Sequence, residues 1–301
     1  DKDIEKLSLL VIADKKEEEK SKYESKVRGR IQNKQVNLEL EPKFIVTYYE
    51  KSSDIRRFVY FSQLVDVLNK KSVLHRKLRI TNSEASLNEL QIQEHFNSIE
   101  DLSKRISDSP NNADYYFARA MDYLLVQDFT SAIEDFNKTT TIDPKYTLAY
   151  FNLAVVYTKQ VNLRENTAEY EKKADQPDIL GINTTGTRKE PSLKGVPSMD
   201  MGKMEYELIE KNYNKVIELN PEFVYAYFNR AEIRYKQGDY RAAILDYNEA
   251  LRRDPQFAEA YYNRGLARFQ VRDKDRGLED MRKAGEMGII EAYSIIKRMT
   301  E

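Results

Sequence analysis

Three asparagines, Asn152, Asn229 and Asn263, stand 77 and 34 residues apart, and each directly follows an aromatic residue, Phe151, Phe228 or Tyr262. Phe117 extends the aromatic series 34 residues upstream. An amide offers a donor and an acceptor together, so it can clamp a partner's backbone. The neighbouring ring offers apolar surface for capture. This is binding chemistry, with no group to transfer. Arg119, Arg230 and Arg264 recur in step with them and read as bridges between neighbouring helices.

The residues that catalysis needs are missing or scattered. The 301 residues contain no cysteine, which excludes thiol nucleophiles, disulfides and cysteine-ligated metals, and only two histidines, His75 and His95. His95, alone between Glu94 and Phe96, reads as structural or exposed. No nucleophile–base set, phosphate-cradling glycine loop or metal cluster occurs, so the sequence predicts no enzyme, no cofactor and no metal. A net charge of −1, from 49 basic and 50 acidic residues, gives no field for nucleic acid or an anionic membrane. The basic stretch Arg56, Arg57, Lys70, Lys71, Arg76, Lys77 and Arg79 reads as a solvated helix edge. No segment approaches the roughly 18 apolar residues of a membrane span. The longest, Leu7 to Ala13, falls far short. The first residue, Asp1 rather than Met, leads us to expect a removed leader or an upstream domain.

The elements that carry the recurring residues follow from a period. Pro110, Pro144, Pro221 and Pro255 are separated by 34, 77 and 34 residues, the longer interval being one period plus an insertion. With each proline at place 32, place 4 reads Tyr116, Tyr150, Tyr227 and Tyr261. Place 8 reads Ala120, Ala154, Ala231 and Gly265. Place 20 reads Ala132, Ile209, Ala243 and Gly277, and place 24 reads Phe136, Tyr213, Tyr247 and Met281. Large residues at 4 and 24, with small ones at 8 and 20, describe a pair of closely packed helices, from which Ile209, and Met281 with Ile289 in the last unit, depart.

These positions, and the stretch Ala260 to Ala267 above all, resemble the tetratricopeptide repeat family over residues 113–160 and 203–288. The resemblance implies a mainly α fold, a right-handed helical-repeat superhelix of antiparallel helix pairs with a concave groove used to bind peptides or assemble complexes. The units run 113–146, 147–223 with an insertion over 161–202, 224–257 and 258–288, followed by a capping helix over 289–300. In this family places 2, 5, 9, 12 and 13 of the first helices line the groove. That implies partner-binding residues Phe117, Met121, Phe151, Phe228, Tyr235, Tyr262 and Phe269, to which the recurring Asn152, Asn229 and Asn263 at place 6 are added as clamps for the partner's backbone. The lysine/asparagine clamp of chaperone-binding members, Lys at place 5 with Asn at place 9, is not present. The expected function is a non-catalytic scaffold or adaptor binding a peptide or helix of a partner protein. The alternative is a structural subunit of a larger complex, its groove filled by its own chain, meeting partners through 161–202 and the convex face. Tyrosine-rich repeats joined to a hairpin module also look similar to large repeat proteins of bacterial envelopes, which points to an extracytoplasmic site while the sequence itself names no compartment.

Upstream, residues 1–34 read as a charged helical linker and 35–82 as a small α+β module. Within the module, alternation at Val36, Leu38 and Leu40 and the run Phe44 to Tyr49 predict a hairpin across 35–50. Ile55 to Leu68 predicts a helix, and Leu78 to Ile80 a short strand. From 83 to 301 the chain reads as the repeat array, opened by a half-repeat helix capped by Ser83 or Ser86 and running to Ile106. Prolines and glycines break most of 161–202, with the preceding helix continuing through Tyr170 and Lys173.

Overall fold

The structure, a computed structural model, describes residues 46–50, 59–71, 77–81, 87–174 and 198–300. The chain divides into two compact units, 1–41 and 42–301, and every described residue belongs to the second.

The array is a helical-repeat solenoid. Helix α2 (Glu89–Asp108) precedes four helix pairs. These are α3 (Ala113–Leu125) with α4 (Phe129–Ile142), α5 (Thr147–Ala174) with α6 (Ser198–Leu219), α7 (Val224–Lys236) with α8 (Tyr240–Arg253), and α9 (Ala258–Gln270) with α10 (Lys274–Glu286). A last helix, α11 (Glu291–Thr300), closes the stack. Each helix of the array packs on the one before and the one after it.

The boundaries follow from the dipeptides that repeat. Proline disfavours helix at the preceding residue, so Asp143, Asn220 and Asp254 each end a helix. Their side chains then accept from the main-chain N–H two residues on, at Lys145 (2.9 Å), Glu222 (3.2 Å) and Gln256 (2.9 Å), which fixes the turn. Inside units 1 and 3, Asp128 and Asp239 cap the second helix through the N–H of Ser131 and Ala242. The residue before each cap adopts a positive φ, 64° at Gln127 and 81° at Gly238, and unit 4 repeats this with 63° at Arg272. Close approach is greatest in unit 4, where a Cβ on Gly277 would lie 2.5 Å from the Phe269 ring.

Polar ties recur at the same places. Arg119, Arg230 and Arg264 each grip an aspartate of the following helix, Asp135, Asp246 or Asp280, through two nitrogens. Each also reaches back to the preceding unit, to Ser103 (2.9 Å), Asn214 (2.5 Å) and Asn248 (2.7 Å). The arginines therefore bridge helices, as their recurrence suggests. Ser103 occupies the place of Asn214 and Asn248, which identifies α2 as the second helix of a degenerate unit. The buried pair His95 and Asp122 (2.7 Å), joined by Ser98 (2.6 Å), locks α2 to α3.

The N-terminal module differs from the expectation in its details. Strand β1 (Val46–Glu50) pairs antiparallel with β3 (Lys77–Thr81) over five residues. Strand β2 (Val59–Tyr60) pairs with the other edge of β3 over two. Val59–Tyr60, expected inside a helix from Ile55, is thus a strand. Helix α1 (Gln63–Lys71) starts later because Ser62 accepts from the N–H of Val65 and Asp66. Asn69 then meets the backbone of Leu78 through both amide atoms, at 2.7 and 2.8 Å, and occupies the edge of β3 that β2 leaves open. The first arm of the expected hairpin and the linker 1–34 lie outside the described residues. Helix α2 begins later than expected, because Asn88 forms a capping box with Gln91 where Ser83 or Ser86 was expected to cap. Helix α5 runs on to Ala174, and the most Pro/Gly-rich part of the insertion, 175–197, lies outside the described residues.

Candidate functional site

The face built from the first helices of the units carries the residues singled out in the sequence. Phe117, Met121, Phe151, Asn152, Phe228, Asn229, Tyr262 and Asn263 are all buried, none more than 2% exposed. Only Tyr235 and Phe269 keep part of their surface open. The reason is a packing motif repeated in each of the first three units. Phe117 lies 5.7 Å from Phe136 and 4.8 Å from Tyr146. Phe151 lies 5.9 Å from Tyr213 and 5.2 Å from Phe223. Phe228 lies 5.8 Å from Tyr247 and 4.6 Å from Phe257. Each ring at place 5 is held between the rings at places 24 and 34 of its own unit, where tilted and edge-on contacts are favourable. The aromatics at place 34, Tyr146, Phe223 and Phe257, were missed in the sequence reading, although their 77- and 34-residue spacing is plain.

The asparagines are used internally as well. Asn152 donates to the Leu148 carbonyl at 2.9 Å. Asn229 lies near the hydroxyl of Tyr213 in the preceding unit and Asn263 near that of Tyr247, but the buried Tyr247 hydroxyl makes no hydrogen bond among the described residues. Burial pushes both phenols well above their ordinary pKa, so they stay protonated. Glu232, also buried, pairs with Lys236 at 3.3 Å.

What covers this face is the chain's own module. Val65, Leu78 and Ile80 share one continuous core with Phe117, Phe151 and Phe228. Strand β1 lies against α3 and α5, the first helices of units 1 and 2. At the other end the Tyr60 ring sits 5.8 Å from Tyr225 and 5.5 Å from Phe257. Its hydroxyl donates to Glu259, and the Tyr225 hydroxyl donates to the Phe61 carbonyl at 2.8 Å. Burial, with Asp254 and Glu259 nearby, raises the Tyr225 pKa and keeps that donor protonated. Tyr225 and Glu259 occupy place 2 of units 3 and 4, so groove-lining positions engage the module.

A second concavity lies beyond the ordinary end of unit 2's first helix. Helices α5 and α6 extend past the ordinary end of a repeat as an antiparallel hairpin, tied by Arg164 to Glu205 (2.5 Å) and by Tyr206 to Glu165 (2.8 Å). Between this extension and the turn of unit 1 lies a cleft of about 610 Å³ bordered by Gln127, Phe129, Gln160, Leu163, Arg164 and Glu205. Leu163 and Met204 are 59% and 67% exposed on the extension. Among the described residues, no group of histidines and carboxylates could hold a metal, and no helix is long and apolar enough to cross a membrane.

Two family models match the chain, one described as a TPR repeat over residues 231–271 and one as a tetratricopeptide repeat over 212–244. Both fall where successive units follow without interruption. No curated protein matches. Similar solved structures include MamA from Desulfovibrio magneticus, 13% identical, covering 66% of this chain and 88% of that one at a TM-score of 0.48. Another is TTC0263, a thermophilic TPR protein of Thermus thermophilus, 13% identical, covering 69% and 92% at a TM-score of 0.46. Both scores lie under 0.5, so the architecture rests on the helix pairs themselves.

Proposed function

Since the chain belongs to the tetratricopeptide repeat family, we propose that it is a non-catalytic protein–protein interaction scaffold whose first-helix face is held at rest by its own strand module and whose resting-state partners bind elsewhere. The observation that carries this reading is the seating of Tyr60 between Tyr225 and Phe257 with its hydroxyl on Glu259. A peptide captured by Phe117, Phe151, Phe228 and Tyr262 would have to displace the module and open rings that hold the repeats together. The surface left for a partner in a larger assembly is the second-helix side and the α5–α6 extension. There Leu163 and Met204 supply exposed apolar anchors, Leu163 on the rim of the cleft itself.

Affinity purification with mass spectrometry, using the full chain and the double variant Leu163→Asp/Met204→Asp, tests this reading. Both side chains are exposed, so the variant is expected to keep its helical circular dichroism and lose its partners. Partners retained by that variant and lost by Tyr235→Ala/Phe269→Ala would return the contact to the first-helix face.

A further inference from the structure

We propose that Tyr225, Phe257 and Glu259 form a tyrosine-recognising subsite on units 3 and 4, that Tyr60 is its resident occupant, and that a tyrosine in an extended segment of a partner protein can take its place. The inference rests on the reading that the chain's own strands cover the first-helix face, and it adds what that face selects.

The subsite reads three features of its occupant. The ring is held by Tyr225 and Phe257 at centroid distances of 5.8 and 5.5 Å. The hydroxyl donates to Glu259, a carboxylate only 6% exposed. The backbone is read by the Tyr225 hydroxyl on the carbonyl of the next residue, Phe61, at 2.8 Å. This last contact asks only for an extended chain. Phenylalanine would satisfy the ring and the backbone while taking a donor from a buried carboxylate, so tyrosine is preferred. Removing the occupant without replacement would bare Phe257 and Tyr225, which are 1% and 7% exposed.

The resident segment is poorly secured. Strand β2 contributes two pairs, Val59 with Thr81 and Tyr60 with Ile80, whereas β1 contributes five. Phe61 beside it is 80% exposed. Val65, Leu78 and Ile80 are buried members of the core, whereas Tyr60 packs against it only partly buried, so β2 can open while β1, β3 and α1 stay in place. A tethered occupant acts at a high effective concentration, on the order of millimolar, so a free segment of equal chemistry binds weakly until Tyr60 is withdrawn.

The test uses the full chain and a fluorescein-labelled peptide copying residues 57–64, read by anisotropy. Tyr60→Ala should bind the peptide at least about tenfold tighter than the unaltered chain, since the tethered competitor is gone. Adding Glu259→Gln, or using a peptide with phenylalanine for its tyrosine, should return about tenfold of that gain, the worth of one hydrogen bond to a charged group. Equal affinity for the unaltered and Tyr60→Ala chains, or indifference to tyrosine against phenylalanine in the peptide, overturns the proposal. Should Tyr60→Ala lose its helical circular dichroism, Tyr60→Phe keeps the ring and should show a smaller gain; no gain overturns the proposal equally. Hydrogen exchange of Tyr60 and Phe61 in the unaltered chain separates the two readings. Protected amides with no peptide effect leave the covered face standing and sink the exchange alone, while fast exchange there, equal to that of exposed chain, sinks both.

Discussion

The Arg230 guanidinium meets both carboxylate oxygens of Asp246, at 2.8 and 2.6 Å, in a pair with little access to solvent. Arg234 adds a third contact at 2.9 Å. Units 1 and 4 repeat the pairing, but unit 2 has Leu153 and Asn212 at the same two places. Both charges are absent together there, as expected when a lone buried charge costs far more than a neutral pair.

Asp246→Asn in unit 3 should therefore cost about 3 kcal/mol, because it strands the Arg230 charge. Arg230→Leu/Asp246→Asn, which copies unit 2, should recover most of the loss. Urea denaturation of the two single variants and the double variant reads the coupling, and additive losses would show that the pair does not act as a unit.

Phe228→Ala should reduce stability by about 3–5 kcal/mol, since it empties the space between Tyr247 and Phe257 in a fully buried site. Phe269→Ala, at a partly open position, should cost less. Thermal unfolding followed by circular dichroism gives the ranking, and the reverse order would mean that Phe228 is not held by its neighbours.

The positive φ at Gln127 and Arg272 strains residues that carry a Cβ, whereas Gly238 adopts 81° at the equivalent place without that conflict. Gln127→Gly and Arg272→Gly should each raise stability by a few tenths to about 1 kcal/mol, the lost strain outweighing the added freedom of the unfolded chain. Gly238→Ala should lower it by a similar amount. Chemical denaturation midpoints provide the comparison.

Burial raises the pKa of Tyr213, Tyr225 and Tyr247 above the roughly 10 of an unfolded chain. The native state therefore holds these protons over a window where the unfolded chain has released them. Their contribution is fully present below about pH 10 and is lost as pH rises through that window. Tyr213→Phe should lower the sensitivity to alkali between about pH 10 and 12, measured as the fall in urea midpoint, and an unchanged slope would show that the phenol ionises freely in the folded protein.

Much of the array was legible because one packing solution is repeated along the stack, so small residues at places 8 and 20 and rings at 4 and 24 recur visibly, with Ile209 and Met281 the exceptions. Helix ends were legible where proline follows aspartate or asparagine. The role of Phe117, Phe151, Phe228 and Tyr262 was not, since an aromatic at helical spacing looks the same whether it faces a partner or its own neighbours. The spacing of Tyr146, Phe223 and Phe257 could have decided it, but these residues sit just before helices, outside the pattern being matched. The docking of Tyr60 on Glu259 joins residues 199 positions apart, and no local period encodes such a contact. The helical reading from Ile55 failed for a local reason, the Ser62 cap.

In a serial stack each unit is supported only by its neighbours, so the ends can fray while the middle stays folded. While Tyr60 is seated, the three-stranded sheet changes that behaviour, because β1 rests on units 1 and 2 and Tyr60 on units 3 and 4. It links units that are not neighbours in the stack, so the loss of one end is felt at the other. A fold built to melt piecemeal is thereby given the means to unfold as one cooperative body.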